Sequence, residues 1–264
     1  MPPDKLSVTR SGSGPRLVLV HGFTQSSGSW EPVARQLAGF EVVTPDLPGH
    51  GQSPPARGGL AGAADALAQA CGTGAYVGYS LGARSCLHLA LRHPATVERL
   101  VLVSATAGIE DEAARNARRA ADDTLAARIE MGGDGGMAEF LDEWLGGPLF
   151  AHLGPAEANK PSRLVNSAAG LASSLRQCGN GTQLPLWQEV GQLSMPVLVV
   201  AGEQDPRYTE LGRRLAAAIG SNASYVAAAG RGHAVPFEQP EAFGALVRSF
   251  VLPRTAHHGE PAGS

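Results

Sequence analysis

Short, continuous apolar runs separated by helical patterns are the feature that most restricts how this chain can fold. Residues 17–20, 42–44, 75–78, 100–103 and 197–201 form such runs, most of them rich in Val and Leu, and 224–227 forms a weaker sixth. A strand with one wet face alternates apolar and polar residues. An uninterrupted run suits a strand buried on both faces of a parallel sheet. Helical patterns lie between the runs at 31–37, 61–70, 83–92 and 211–218, and a last one at 242–251 follows Pro240. Strands and helices in this order predict βαβ units and an α/β fold with a mostly parallel, doubly wound sheet.

The pattern breaks between residues 106 and 187, where no strand is convincing. Residues 112–130 are Ala-rich and charged and read as a surface helix, and 138–145 place Phe140, Leu141, Trp144 and Leu145 on one helical face. Gly132-Gly133-Asp134-Gly135-Gly136 between them reads as a flexible joint. The chain, 264 residues long, has room for one large core with an insert. The expected organisation is a first part of the core over 1–105, a helical lid over 106–187, the second part of the core over 188–252, and a disordered tail over 253–264. His257 and His258 in that tail read as solvated.

Composition removes several function classes. Charged residues make up 17% and the formal net charge is −3, so the basic excess of a nucleic-acid or anionic-membrane binder is missing. No apolar run is long enough for a membrane span, and the first residues lack the apolar stretch of a secretory signal. Cys71, Cys86 and Cys178 have neither metal-ligand nor disulfide spacing and read as small buried hydrophobes in a reducing, cytoplasmic setting. No metal or other cofactor is implied.

The chemistry is carried by Gly78-Tyr79-Ser80-Leu81-Gly82, which follows an expected strand and precedes an expected helix. That is the setting of a G-x-S-x-G nucleophile elbow, in which glycines permit a sharp turn that exposes the serine. A serine hydroxyl needs a base, and the base needs an orienting acid. The run 197–201 leads into Gly202-Glu203-Gln204-Asp205, and 224–227 leads into Gly230-Arg231-Gly232-His233. The order Ser80, Asp205, His233 is that of the α/β-hydrolase fold. Glu203 is the rival for the acid. His21-Gly22-Phe23 follows the first run, so the backbone amides of Phe23 and Leu81 are the expected oxyanion hole. His21 reads as structural. His50, in the turn Asp46 to Ser53, is expected to do no chemistry.

On these residues the chain resembles the 2-succinyl-6-hydroxy-2,4-cyclohexadiene-1-carboxylate synthase family of menaquinone or phylloquinone biosynthesis. The resemblance rests on Arg84 four residues after Ser80, on Arg115, Arg118, Phe140, Trp144 and Arg163 in the insert, and on Gly179-Asn180-Gly181-Thr182-Gln183. Gly202-Glu203-Gln204-Asp205-Pro206-Arg207-Tyr208 is similar to the family's G-E-x-D-x-K-F, with Arg207 for Lys and Tyr208 for Phe. Val235-Pro236 stand where many members carry a second histidine.

The resemblance implies a lyase that eliminates pyruvate from a small polycarboxylate substrate, with Ser80 as a base activated by His233. It further implies that Arg84, Arg118 and Arg163 bind carboxylates and that Tyr79 and Trp144 line the site. Taken alone, Arg118 beside Arg115 and Arg119 reads as part of a solvated face, Arg84 could lie along a helix surface, and Trp187 reads as core. A carboxylesterase or C–C bond hydrolase of the same fold would share the triad but need an apolar pocket. A non-catalytic small-molecule receptor could keep it too.

Overall fold

The computed structural model describes residues 5–252. The expectations for the tail after residue 252, including His257 and His258, lie outside the described residues. Seven strands form one sheet: β1 (Val8–Gly12), β2 (Arg16–Val20), β3 (Glu41–Pro45), β4 (Gly74–Tyr79), β5 (Val97–Val103), β6 (Val197–Gly202) and β7 (Ala223–Ala228). Their order is β1-β3-β2-β4-β5-β6-β7, and all pairings are parallel except that of β1 with β3.

The apolar runs fill both sheet faces, as a period of two requires. Val18 and Val20 of β2 enter one core cluster, while Leu17 and Leu19 enter the other. Val197 and Val199 of β6 divide from Leu198 and Val200 in the same way. Each such side chain contributes roughly 1.5–3 kcal/mol on burial, so a polar residue anywhere along the middle strands would be costly. All three cysteines are free and buried, and burial pushes the Cys178 thiol up to about 11.

The helices, in chain order, are α1 (Glu31–Ala34), α2 (Gly59–Cys71), α3 (Leu81–Arg92), α4 (Glu112–Gly132), α5 (Met137–Leu145), α6 (Pro155–Ala158), α7 (Lys160–Arg163), α8 (Ala168–Cys178), α9 (Pro206–Ile219), α10 (Val235–Glu238) and α11 (Pro240–Val251). Among the described residues none is long and apolar enough to cross a membrane. Helices α4 to α8 all fall between β5 and β6, and no strand interrupts them. A third apolar cluster, with Ile129, Phe140, Leu141 and Leu171, holds this insert together.

Five local expectations need correction. Strand β1 was not expected: it is a mostly exposed edge, so burial imprints no apolar pattern on it. The helix expected over 31–37 is a 3₁₀ turn, Ser27–Trp30, followed by the short α1. Helix α8 was also missed, and α9 begins five residues earlier than expected, at Pro206, with Asp205 as its cap. The glycine stretch expected as a flexible joint is a 3₁₀ turn in which Asp134 accepts a 2.7 Å hydrogen bond from the Ala168 amide, at the start of α8.

The insert meets the core where α8 passes the loop after β3. A Cβ on Gly170 would stand 2.6 Å from Gly49 O, and one on Gly49 would stand 2.4 Å from Gly170 O. Gly49 also has φ +81°, which an L side chain rarely adopts. Asn166 completes the contact by accepting from the Gly51 amide at 2.7 Å.

Candidate active site

Ser80 sits between β4 and α3 with φ 51° and ψ −108°, a strained conformation for a residue with a side chain. The turn is possible because its neighbours lack side chains. A Cβ on Gly82 would lie 2.1 Å from Val20 O, and one on Gly78 would lie 2.5 Å from Gly82 O. The Ser80 amide donates to Val103 O at 2.9 Å, which ties the elbow to the next strand.

His233 Nε2 lies 3.3 Å from Ser80 Oγ, and its Nδ1 lies 2.7 Å from Asp205 Oδ2. Asp205 Oδ1 accepts from the Tyr208 amide, so the carboxylate is fixed at both oxygens. Glu203 is exposed and accepts from the Gly230 amide instead. The geometry thus brings Ser80, His233 and Asp205 together and leaves the rival acid outside.

Two devices that hold His233 left no mark in the sequence. Glu238, in α10, accepts from the Gly232 amide at 2.7 Å and from the Ala234 amide at 2.9 Å, bracketing the histidine. Ser104 Oγ donates to His233 O at 2.7 Å. No spacing rule finds such residues, because they act on backbone groups. Glu238→Ala should lower kcat by about 10–100-fold, since a shift near 1 Å in a catalytic group is enough for that. Steady-state kinetics on the folded variant checks this, and an unchanged kcat would exclude the bracket as a positioning device.

On the other side, the loop after β2 is locked in place. Gly22 N donates to Gln25 Oε1, and a Cβ on Gly22 would stand 2.7 Å from the Tyr79 ring. The Phe23 amide has no protein acceptor among the described residues. Leu81 is the first residue of α3, so its amide has no partner within the helix. Both are free to meet a developing negative charge.

His21 serves this loop structurally. Its Nδ1 donates to Gly22 O at 2.8 Å and its Nε2 accepts from the Leu47 amide at 2.9 Å, an arrangement that only the neutral ring allows. Burial lowers its pKa from 6.5 to about 4, and burial likewise lowers those of His88, to about 4, and His50. The unfolded chain therefore binds more protons between pH 6.5 and 4. Stability should be fully present above about pH 6.5 and fall as the pH drops towards 4. Urea midpoints measured at pH 7 and pH 5 check this; an equal or higher midpoint at pH 5 would contradict it.

A cavity of about 410 Å³ opens over the triad. Phe23, Leu81, Arg84, Arg118 and Trp144 line it, as expected. Arg84, in α3, donates through Nη1 to Cys178 O and Gln183 Oε1, and Arg118 donates through Nε to Asp122 Oδ1. Their remaining N–H groups have no protein acceptor among the described residues. Arg207 adds a third guanidinium to the lining, at the position where the resembled family carries lysine. Asp205 is the only carboxylate among the lining residues.

Tyr79 and Arg163 do not line the cavity, contrary to expectation. Tyr79 packs beneath the site, with its ring 5.6 Å from that of His233 and 5.2 Å from that of Phe237. Arg163 is 2% exposed and donates to Ala158 O and to Thr24 Oγ1, the residue after Phe23. Burial lowers its pKa to about 10. Its short helix points the guanidinium at the back of the Phe23 loop rather than down into the cavity. Trp187 is buried, and its indole donates to Gly108 O, as a core residue would.

Comparison with known proteins gives the family. A profile described as "Alpha/beta hydrolase family" matches residues 17–246. The 2-succinyl-6-hydroxy-2,4-cyclohexadiene-1-carboxylate synthase of Salmonella schwarzengrund is 30% identical over 213 residues, 77% of this chain and 82% of that protein. The chain belongs to this synthase family of alpha/beta hydrolases. The synthase of Serratia proteamaculans is 29% identical, covering 90% of this chain and 93% of its own. Among solved structures, MenH from S. aureus superimposes with a TM-score of 0.84 at 25% identity, over 93% of this chain and 97% of that one. The overall fold of this chain is thus shared with a solved structure of that name.

Proposed function

We propose that this chain eliminates pyruvate from 2-succinyl-5-enolpyruvyl-6-hydroxy-3-cyclohexene-1-carboxylate. The product is 2-succinyl-6-hydroxy-2,4-cyclohexadiene-1-carboxylate, an intermediate of menaquinone or phylloquinone biosynthesis. Family membership supports the reaction. The observation in this chain that carries it is the presence of three arginines, Arg84, Arg118 and Arg207, in the cavity that holds Ser80. The substrate has three carboxylates, and an ester pocket would have no use for such a set. The free, buried cysteines support a cytoplasmic setting.

His233 takes the Ser80 proton, and the Ser80 oxygen takes the ring proton at C2, next to the succinyl ketone. The electron pair passes to the ketone oxygen, where the Phe23 and Leu81 amides stabilise it. As it returns, C2=C3 forms, the C3=C4 bond moves to C4=C5, and the C5–O bond breaks. His233 gives its proton to the methylene carbon of the departing enolate, which becomes pyruvate. Asp205 keeps His233 in the tautomer that accepts from Ser80. In this proposal Arg163 acts through Thr24 on the oxyanion loop, Tyr79 supports the His233 ring, and the insert serves as the lid.

A coupled assay for pyruvate release tests the activity directly, with p-nitrophenyl ester cleavage as the competing reading. Arg84→Ala and Arg118→Ala should each lower kcat/KM by about 30-fold or more, the cost of stranding a desolvated carboxylate. Arg119→Ala, exposed on the same helix as Arg118, should do little. Lysine at position 84 or 118 should restore only part of the loss, because an ammonium lacks the planar fork. If both alanine variants match Arg119→Ala, the polycarboxylate reading falls and the esterase reading replaces it.

A further inference from the structure

The cavity wall contributed by α8 and the residues after it carries polar atoms that no part of the protein uses. Ser174 Oγ and Asn180 Oδ1 are both buried without a hydrogen-bond partner, and both residues line the cavity over Ser80. Ser174 is 1% exposed. Leaving a buried polar atom unpaired is costly, and most buried polar side chains in folded proteins have a partner.

Backbone groups beside the two residues are engaged. Cys178 O, between them in the chain, accepts from Arg84. Asp122 accepts from the Gly181 amide through Oδ2 while its Oδ1 takes Arg118. The backbone carrying Ser174 and Asn180 is thus anchored to two cavity arginines, while their own side-chain oxygens stay uncommitted.

We propose that Ser174 and Asn180 form a neutral subsite that binds the ring hydroxyl of the substrate. The proposal rests on the pyruvate-eliminating activity argued above. At neutral pH the three carboxylates, the ketone and the enol ether of that substrate are all hydrogen-bond acceptors. The hydroxyl is its one donor. Asn180 Oδ1 accepts only, so the hydroxyl is the one group on the substrate that can satisfy it. Ser174 Oγ can donate back to the hydroxyl oxygen. The arginines, which only donate, are left to the carboxylates. The hydroxyl takes no part in the elimination, so this contact fixes the ring and selects the substrate without touching the reacting atoms.

The test compares pyruvate release from the natural substrate with release from its 6-deoxy analogue, using the wild-type chain, Ser174→Ala and Asn180→Leu. Thermal unfolding confirms that each variant is folded, and Ser174→Ala, the smaller change, stands if Asn180→Leu does not fold. The wild type should prefer the hydroxylated compound in kcat/KM by about 10–100-fold. Each variant should lose about 10-fold on the hydroxylated compound and less than about 2-fold on the deoxy compound, so the preference collapses. Equal losses on both compounds, or none on either, would overturn the subsite while leaving the activity intact. Failure of the wild type to release pyruvate from either compound would overturn the activity, and the subsite with it.

Discussion

Ser80→Ala is expected to lower pyruvate formation by at least about 100-fold, the scale on which positioned acid–base chemistry acts, while the protein stays folded. Alanine keeps the Cβ that Ser80 already holds at φ 51°, so the elbow gains no new strain. Only Oγ is lost, and with it the 3.3 Å contact to His233 Nε2. Histidine alone would then have to reach a ring proton that Ser80 is placed to take. Single-turnover kinetics with circular dichroism on the same sample decides the matter. Near-normal turnover in a folded variant would remove serine from the mechanism.

Asp205→Asn should cost on the order of 10³-fold in kcat, whereas Glu203→Gln should change it by less than about 2-fold. Asp205 faces His233 Nδ1 at 2.7 Å, and an amide there can donate to the ring and favour the wrong tautomer. Its second oxygen remains an acceptor for the Tyr208 amide in either form, so the cap of α9 survives and the loss is chemical rather than structural. Glu203 touches only the Gly230 amide near the surface. If the Glu203 variant were the more damaged of the two, the acid would have to be reassigned.

The parts of the fold that could be read in advance were those where burial leaves its mark on the apolar pattern. Strands β4 and β6 are buried along their whole length and announce themselves as unbroken apolar runs. Strand β1 is an exposed edge and carries no such trace. Helix α8 was hidden for a different reason: AAGLASSLRQC is built of small residues that let it lie close to Gly49, and small residues make a weak apolar stripe.

The triad was legible because each member follows a strand in a fixed order, and the structure joins all three. Residues that work through the backbone were not. Glu238 grips amides, and nothing in its spacing says so. Arg163 shows the opposite failure. Family likeness gave the residue type at that position but not the direction of the side chain, which here turns to Thr24.

An insert seated through two facing glycine backbones is not an exchangeable cassette. Gly170 belongs to the inserted helices and Gly49 to the core, and neither position has room for a methyl group. A chimaera that took α4 to α8 from another alpha/beta hydrolase, in order to change which molecules are admitted, would have to bring a matching surface on the loop after β3. A library that varies the insert of this chain therefore has to keep Gly170, or change the loop after β3 along with it, before selectivity can be sampled.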